Sequence, residues 1–246
     1  MMKKLTTIIA VFLLVAINMQ AQKTFVLLSG VSNYGVDSIN LYNTTKDVKA
    51  LDKVFMNQKF TVAKATSKNA YSDNIRTKLN AIVRLAKPQD RIIFFFSGHG
   101  TPGGFVPYDR TLFNYQELVD IFKKAKAQYI YCFIDACMSG SVKSISNNNF
   151  GIGSGSPKIC FMTASDATEL SMEDSFVGHG YFTKALLKAL RGMSDKNKDK
   201  QITLGEVFRY VQNDVIYRTK DAKQVQHPQL IGTYSDEMKK TVLTRW

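Results

Sequence analysis

The sequence predicts an α/β domain: a mostly parallel central sheet of about six strands flanked by helices. Three observations carry that expectation. TFVLLS (24–29), RIIFFFS (91–97), YIYCFI (129–134) and KICFMT (158–163) are continuous apolar runs rich in β-branched and aromatic residues, the pattern of strands covered on both faces. Amphipathic helical patterns lie between and after them, and strands alternating with helices imply parallel pairing through right-handed crossovers. Residues 22–246, with no internal repeat, suffice for one domain with a sizeable core.

In chain order, residues 1–21 come first. Lys3 and Lys4 precede an apolar run from Leu5 to Ile17, and a short polar stretch ends at Ala21. This reads as a secretory signal peptide cut after Ala21, because the run falls short of the roughly 20 apolar residues that a span requires. A retained N-terminal anchor is the alternative, and after signal removal no membrane span is expected. The strand 24–29 is followed by the helical pattern TTKDVKALDKVFMNQ, then by KFTVAKAT (59–66), whose alternating character suits an outer strand. YSDNIRTKLNAIVRLAK reads as a helix ending before Pro88, and NYQELVDIFKKAKA as the helix between the strands at 91–97 and 129–134. YFTKALLKALRG and TLGEVFRYVQNDVIYR follow the last apolar run as two further helices.

The formal charge is +13, or +11 without Lys3 and Lys4. The lysines are spread as in DVKALDKVF and FKKAKAQ, spaced like solvated helix faces, so no nucleic-acid partner is expected. Cys132, Cys137 and Cys160 are an odd set for an exported chain, so at least one thiol is free or pairs with another molecule. Cys132 and Cys160 lie inside apolar strands and suit core packing. Cys137 follows its strand.

Two strand ends then stand out, because ligands in such sheets gather beyond the carboxyl ends of the strands. RIIFFF runs into Ser97-Gly98-His99-Gly100, and YIYCFI into Asp135-Ala136-Cys137. About one helix separates them, so a βαβ crossover would set the strands side by side, about 4.8 Å apart, with thiol and imidazole across one cleft. A cysteine nucleophile needs a base within reach and donors for the developing oxyanion. His99 offers the base, and the amides of Gly100 and Cys137 offer the donors. His179 and His227 are the rival histidines.

FFFSGHG followed by FIDACMSGS resembles the histidine and cysteine motifs of the caspase and metacaspase clan of cysteine peptidases, close to its bacterial metacaspase-like members. GVSNYG, LYNTTKDVKAL, GGFVPYD, MTASDATELSMED, GHGYFTKALLKAL and HPQLIG extend the similarity over about residues 24 to 235. The resemblance implies a three-layer caspase-like sandwich, with Cys137 as nucleophile, His99 as general base and acid, and the Gly100 amide in the oxyanion hole. It also implies hydrolysis of protein or peptide substrates through a thioester acyl-enzyme, with no cofactor required. A catalytically silent binding module of the same fold, and a narrow processing enzyme for exported proteins, are the alternatives.

Caspases proper hold an acidic side chain with arginines, one of them after the first strand, yet residues 24–75 contain none. Asp135 instead matches the acidic pocket residue of the metacaspase-like enzymes, which implies cleavage after Lys or Arg. Asp166 and Glu169 are expected to add charge to that pocket. The Ser/Asn/Gly-rich stretch 138–157 is a candidate processing loop, with Lys143 and then Lys158 as the cut sites. DKNKDKQITLGE (195–206) matches a calcium-loop pattern through Asp195, Asn197, Asp199, Gln201, Thr203 and Glu206, with Ile202 at the apolar position. Its departure is Lys200, where glycine is usual; calcium is the one candidate ion.

Overall fold

The computed structural model describes residues 21–145, 150, 155–169, 171, 173, 174 and 178–246. Residues 1–20 of the expected leader, 1–21, and positions 146–149 and 151–154 of the expected processing loop lie outside them.

A six-stranded sheet forms the middle layer. Its strands are β1 (Thr24–Gly30), β2 (Thr61–Thr66), β3 (Arg91–Ser97), β4 (Tyr129–Asp135), β5 (Lys158–Thr163) and β6 (Gln229–Gly232), in the spatial order β6-β5-β4-β3-β1-β2. All neighbours are parallel except β6, which runs antiparallel to β5 along one edge. The weakly patterned 59–66 segment is the opposite edge, as its alternation suggested.

Among the described residues, five longer helices cover the sheet: α1 (Thr44–Asn57), α2 (Ser72–Leu85), α3 (Tyr115–Phe122), α4 (Tyr181–Lys188) and α5 (Leu204–Thr219). On one face α2 and α3 pack Ile75, Leu79, Leu118 and Phe122 onto Leu27, Phe94, Phe96, Ile130 and Ile134. On the other, α1, α4 and α5 pack Leu51, Phe55, Leu186 and Val211 onto Val26, Leu28, Phe95, Phe133 and Met162. Successive strand residues alternate between these two cores, which is why the central runs are apolar throughout. Both expected core cysteines, Cys132 and Cys160, are buried and free.

Helix α3 is shorter than its sequence pattern, stopping at Phe122, and Asn114 caps its start by accepting the Gln116 N–H. QLIG is too short a run to read as a strand by itself, yet it completes the sheet as β6. A small three-stranded sheet, His99–Thr101 with Gly104–Val106 and Phe113–Asn114, grows directly from the end of β3. Among the described residues no helix is long and apolar enough to cross a membrane.

Candidate active site

β3 and β4 lie side by side in register, with Ser97 opposite Asp135. His99 and Cys137 therefore each stand two residues beyond a paired position, and the Gly98 N–H donates to the Asp135 carbonyl at 3.1 Å to keep the two chains together. Gly100 needs to be glycine, because a Cβ there would run into the Cys137 carbonyl oxygen and come within 2.9 Å of the Ala136 Cβ. His99, Cys137, Asp135, Ser97 and Asp47 all line one narrow cleft of about 80 Å³. A larger groove, about 840 Å³, lies between α5 and β6 and contains neither histidine nor cysteine.

The loop after β1 orients the imidazole. His99 donates Nε2–H to the Ile39 carbonyl at 2.6 Å. A carbonyl only accepts, so Nδ1 is left as the basic nitrogen of the neutral ring. The His99 backbone N–H donates to the Tyr34 hydroxyl at 2.9 Å, and that hydroxyl donates to the Val106 carbonyl at 2.9 Å. The Tyr34 ring lies 4.9 Å from the imidazole, centroid to centroid.

The turn that carries Cys137 is held just as closely. Met138 takes a left-handed φ of 53° immediately after Cys137, a conformation that costs a side-chain-bearing residue energy and needs outside support. Its N–H donates to the Glu169 carbonyl at 2.7 Å, and the Gly140 N–H to that of Ser165 at 2.9 Å. The Cys137 thiol points at the Ser171 carbonyl, 3.8 Å away. Burial pushes that thiol above its ordinary pKa, and the charge of Asp135 adds to the effect while the contact with Ser171 opposes it. In this state the sulfur is a thiol awaiting a base.

Two buried carboxylates form the floor of the cleft. Asp135, 6 % exposed, accepts from Ser171 Oγ at 2.6 Å and from the Thr183 hydroxyl and N–H at 2.6 and 3.2 Å. Asp47, 1 % exposed, accepts from Ser97 Oγ at 3.1 Å and meets His179 Nδ1 at 2.6 Å. Burial pushes the Asp47 carboxyl up to about 7, His179 and Ser97 pull it down, and Asp135 adds to the rise.

The caspase-domain model of peptidase family C14 matches residues 23–238. The chain belongs to that family. It is also similar in fold to the crystal structure of protein GSU0716 from Geobacter sulfurreducens, with a TM-score of 0.68 at 16 % identity, covering 91 % of this chain and 99 % of that one. No curated protein is significantly similar to it.

As a caspase-domain peptidase the chain uses fewer of its sequence-suggested residues in the cleft than expected. Asp166 is corrected: it is absent from the cleft lining, and its carboxylate is paired with Lys143 at 2.5 Å, which holds it below its ordinary range. Glu169 is likewise turned away, its carboxylate accepting from the His227 N–H at 2.8 Å and meeting His227 Nδ1 at 2.6 Å. That clasp accounts for His227, one rival for the base, and the Asp47 contact accounts for the other, His179. Lys143 lies in the short 3-10 helix Ser139–Ser144, and Lys158 is the first residue of β5. A cut at Lys158 would open a central strand.

The 195–206 loop ties up most of its own polar groups, although Asp195 Oδ1 is buried with no hydrogen-bond partner among the described residues. Asp195 accepts from the Lys200 N–H and the Trp246 indole at 3.0 and 3.1 Å, and Asp199 accepts from the Gln201 N–H at 2.8 Å. Asn197 pairs with Asp199, and Lys200 adopts the left-handed φ of 61° that glycine would favour. Glu206 is committed to a capping box with Thr203 at the start of α5. Among the described residues no three His, Cys, Asp or Glu side chains are grouped to hold a metal. No step below uses a metal ion.

Asp47, Ser97, Tyr34, Ile39 and Ser171 are the site residues that sequence reasoning missed. Asp47 had one available signal, a carboxylate in the first turn of a helix that must follow a strand end at the site.

Proposed function

We propose that the chain is an exported cysteine endopeptidase that cleaves protein or peptide substrates after Lys or Arg. The observation that carries this reading is the pair of buried carboxylates, Asp47 and Asp135, lining the same cleft as Cys137 and His99. The guanidinium or ammonium of a substrate complements carboxylates in such a cleft through charge-assisted hydrogen bonds, bidentate with Arg. The incoming cation takes over the position that the Ser171 hydroxyl holds on Asp135.

In the reaction, His99 Nδ1 removes the Cys137 proton as Sγ bonds to the scissile carbonyl carbon. The Ile39 carbonyl, already accepting from Nε2, stabilises the imidazolium so formed. The amides of Gly100 and Cys137 serve as oxyanion donors. Collapse breaks the C–N bond, the imidazolium protonates the leaving amine, and the thioester remains on Sγ. His99 then deprotonates a water that attacks the thioester, releasing the acid and restoring the thiol. Export is supported by the leader pattern of residues 1–21, with residues 22–246 as the mature catalytic domain.

A fluorogenic peptide panel tests the reading. Peptides ending in Lys or Arg are expected to be cut and Asp-terminated ones left intact, with Cys137→Ala inactive on all. Turnover of Asp peptides would overturn the pocket assignment; equal turnover by Cys137→Ala would overturn the nucleophile. Mass spectrometry of wild type beside Cys137→Ala reads the mature N-terminus and any thiol-dependent cut after Lys143.

A further inference from the structure

The second Gly-His-Gly motif, residues 178–180, takes no part in the chemistry above, yet its backbone serves one placement of its imidazole. Gly178 holds φ at +76°, where side-chain-bearing residues are strained, and Gly180 passes so close to Asp135 that a Cβ would sit 2.7 Å from Oδ2. Between them His179 is delivered onto Asp47, Nδ1 to Oδ1 at 2.6 Å, with three-quarters of its own side chain covered.

We propose that His179 is a specificity-determining residue: its imidazole keeps Asp47 ionised, so that the pocket offers two carboxylates, not one, to an incoming Lys or Arg. The proposal rests on the basic-pocket reading and names the residue that maintains that pocket. Two carboxylates sharing a desolvated site resist ionising together, and one of them tends to keep a proton. Here burial and the charge of Asp135 both favour the protonated form of Asp47, while the donors that oppose it are His179 and the Ser97 hydroxyl. Of those two, His179 has the shorter contact, and it alone can also carry charge.

Other ionisable groups of the described residues lie near this pair. His99 and Cys137 line the same cleft, and Asp174 pairs with His179 in backbone register. Lys46, one residue before Asp47 on α1, directs its ammonium to Asn43 Oδ1 at 3.3 Å. Asp47 therefore holds a proton on the acid side of neutrality that it lacks on the alkaline side, and a bound cation favours the form without it. Affinity for basic substrates accordingly rises with pH through about 7, the value to which Asp47 is raised.

Steady-state kinetics on Lys and Arg peptides from pH 5.5 to 9 test this. His179→Ala is expected to raise KM about tenfold at pH 7, leave kcat within about twofold, and move the acid-side midpoint of kcat/KM about one unit upward, one unit being tenfold in the proton equilibrium. His179→Asn, which returns a donor near Nδ1, is expected to recover most of the KM. In an Asp47→Asn background the His179→Ala effect should vanish, a result that a merely structural role would not give. Iodoacetamide labelling of Cys137 in each variant checks that the thiol remains accessible. If wild type prefers Lys or Arg but His179→Ala keeps its KM and midpoint, this proposal fails and the basic pocket stands. If wild type has no preference for basic residues, the pocket reading fails and takes this proposal with it. A loss confined to kcat would make His179 a second base and overturn the proposal.

Discussion

Gly-His-Gly occurs twice, at 98–100 and at 178–180, and both copies border the same cleft. The first follows a buried strand, and its histidine gives Nε2–H to a neutral carbonyl, that of Ile39. The second precedes α4, and its histidine meets a buried carboxylate, that of Asp47. An imidazole held by a carbonyl keeps a basic nitrogen free to accept a proton from a thiol. An imidazole held by a buried carboxylate is tied to that charge and serves it. The partner across the hydrogen bond, set by where the tripeptide joins the fold, separates the two roles.

Removing the two imidazoles in turn breaks the comparison most sharply. His99→Ala should lower kcat on a Lys peptide by about 10²- to 10⁴-fold, the usual range for loss of a positioned base, whereas His179→Ala acts mainly on KM. Comparable kcat losses in both would erase the distinction between them.

The glycines give the next largest effects. In Gly100→Ala the new Cβ meets backbone atoms of Cys137, which cannot rotate away as a side-chain tip can. Overpacking of that kind costs about 1–3 kcal/mol, and because the strained backbone carries the nucleophile, kcat should fall with Tm. Among the described residues, Gly178→Ala meets no close neighbour beyond Lys46 Nζ at 4.0 Å and adds the strain of a left-handed φ, about 1–2 kcal/mol. Its expected signature is a lower Tm with KM, not kcat, displaced. Thermal melts beside steady-state kinetics distinguish the two patterns.

The placement of His99 beside Cys137 was legible because its signals are local. Two apolar runs end in His99 and Cys137, and the in-register pairing of Ser97 with Asp135 follows from runs of equal length joined by one helix. The floor of the pocket was not legible in the same way. Asp47 lies in TTKDVKAL, where a carboxylate among lysines reads as a solvated helix face, and the packing of α1 against the ends of β1 and β3 and against His179 buries it. That packing is tight enough that a Cβ on Gly30 would lie 2.8 Å from Val48 Cγ2. Asp166 and Glu169 misled for the converse reason: they follow the carboxyl end of the next strand, β5, but Lys143 and His227 claim their carboxylates away from the cleft. The Ile39 carbonyl is a backbone atom, and no residue pattern announces which carbonyl a folded loop will present.

Tyr34→Phe should have the smallest effect and defines the limit of the comparison. The Tyr34 hydroxyl accepts from the His99 N–H and donates to the Val106 carbonyl, so it ties the loop after β1 to the hairpin that carries the base. Deleting it leaves one donor and one acceptor unpaired in a part-buried place, at a cost of about 1–2 kcal/mol, or a fall in Tm of about 2–8 °C at roughly 2–4 °C per kcal/mol. The ring contact and the Nε2–H to Ile39 bond remain, so the imidazole keeps its tautomer and loses only rigidity. A reduction in kcat of about twofold to fivefold, under 1 kcal/mol of barrier, is expected. KM should hold, because neither Asp47 nor Asp135 touches this network. If KM instead rose as far as in His179→Ala, the base side and the pocket side of the cleft would be one mechanical unit, and the two histidines could no longer be assigned separate tasks by mutation.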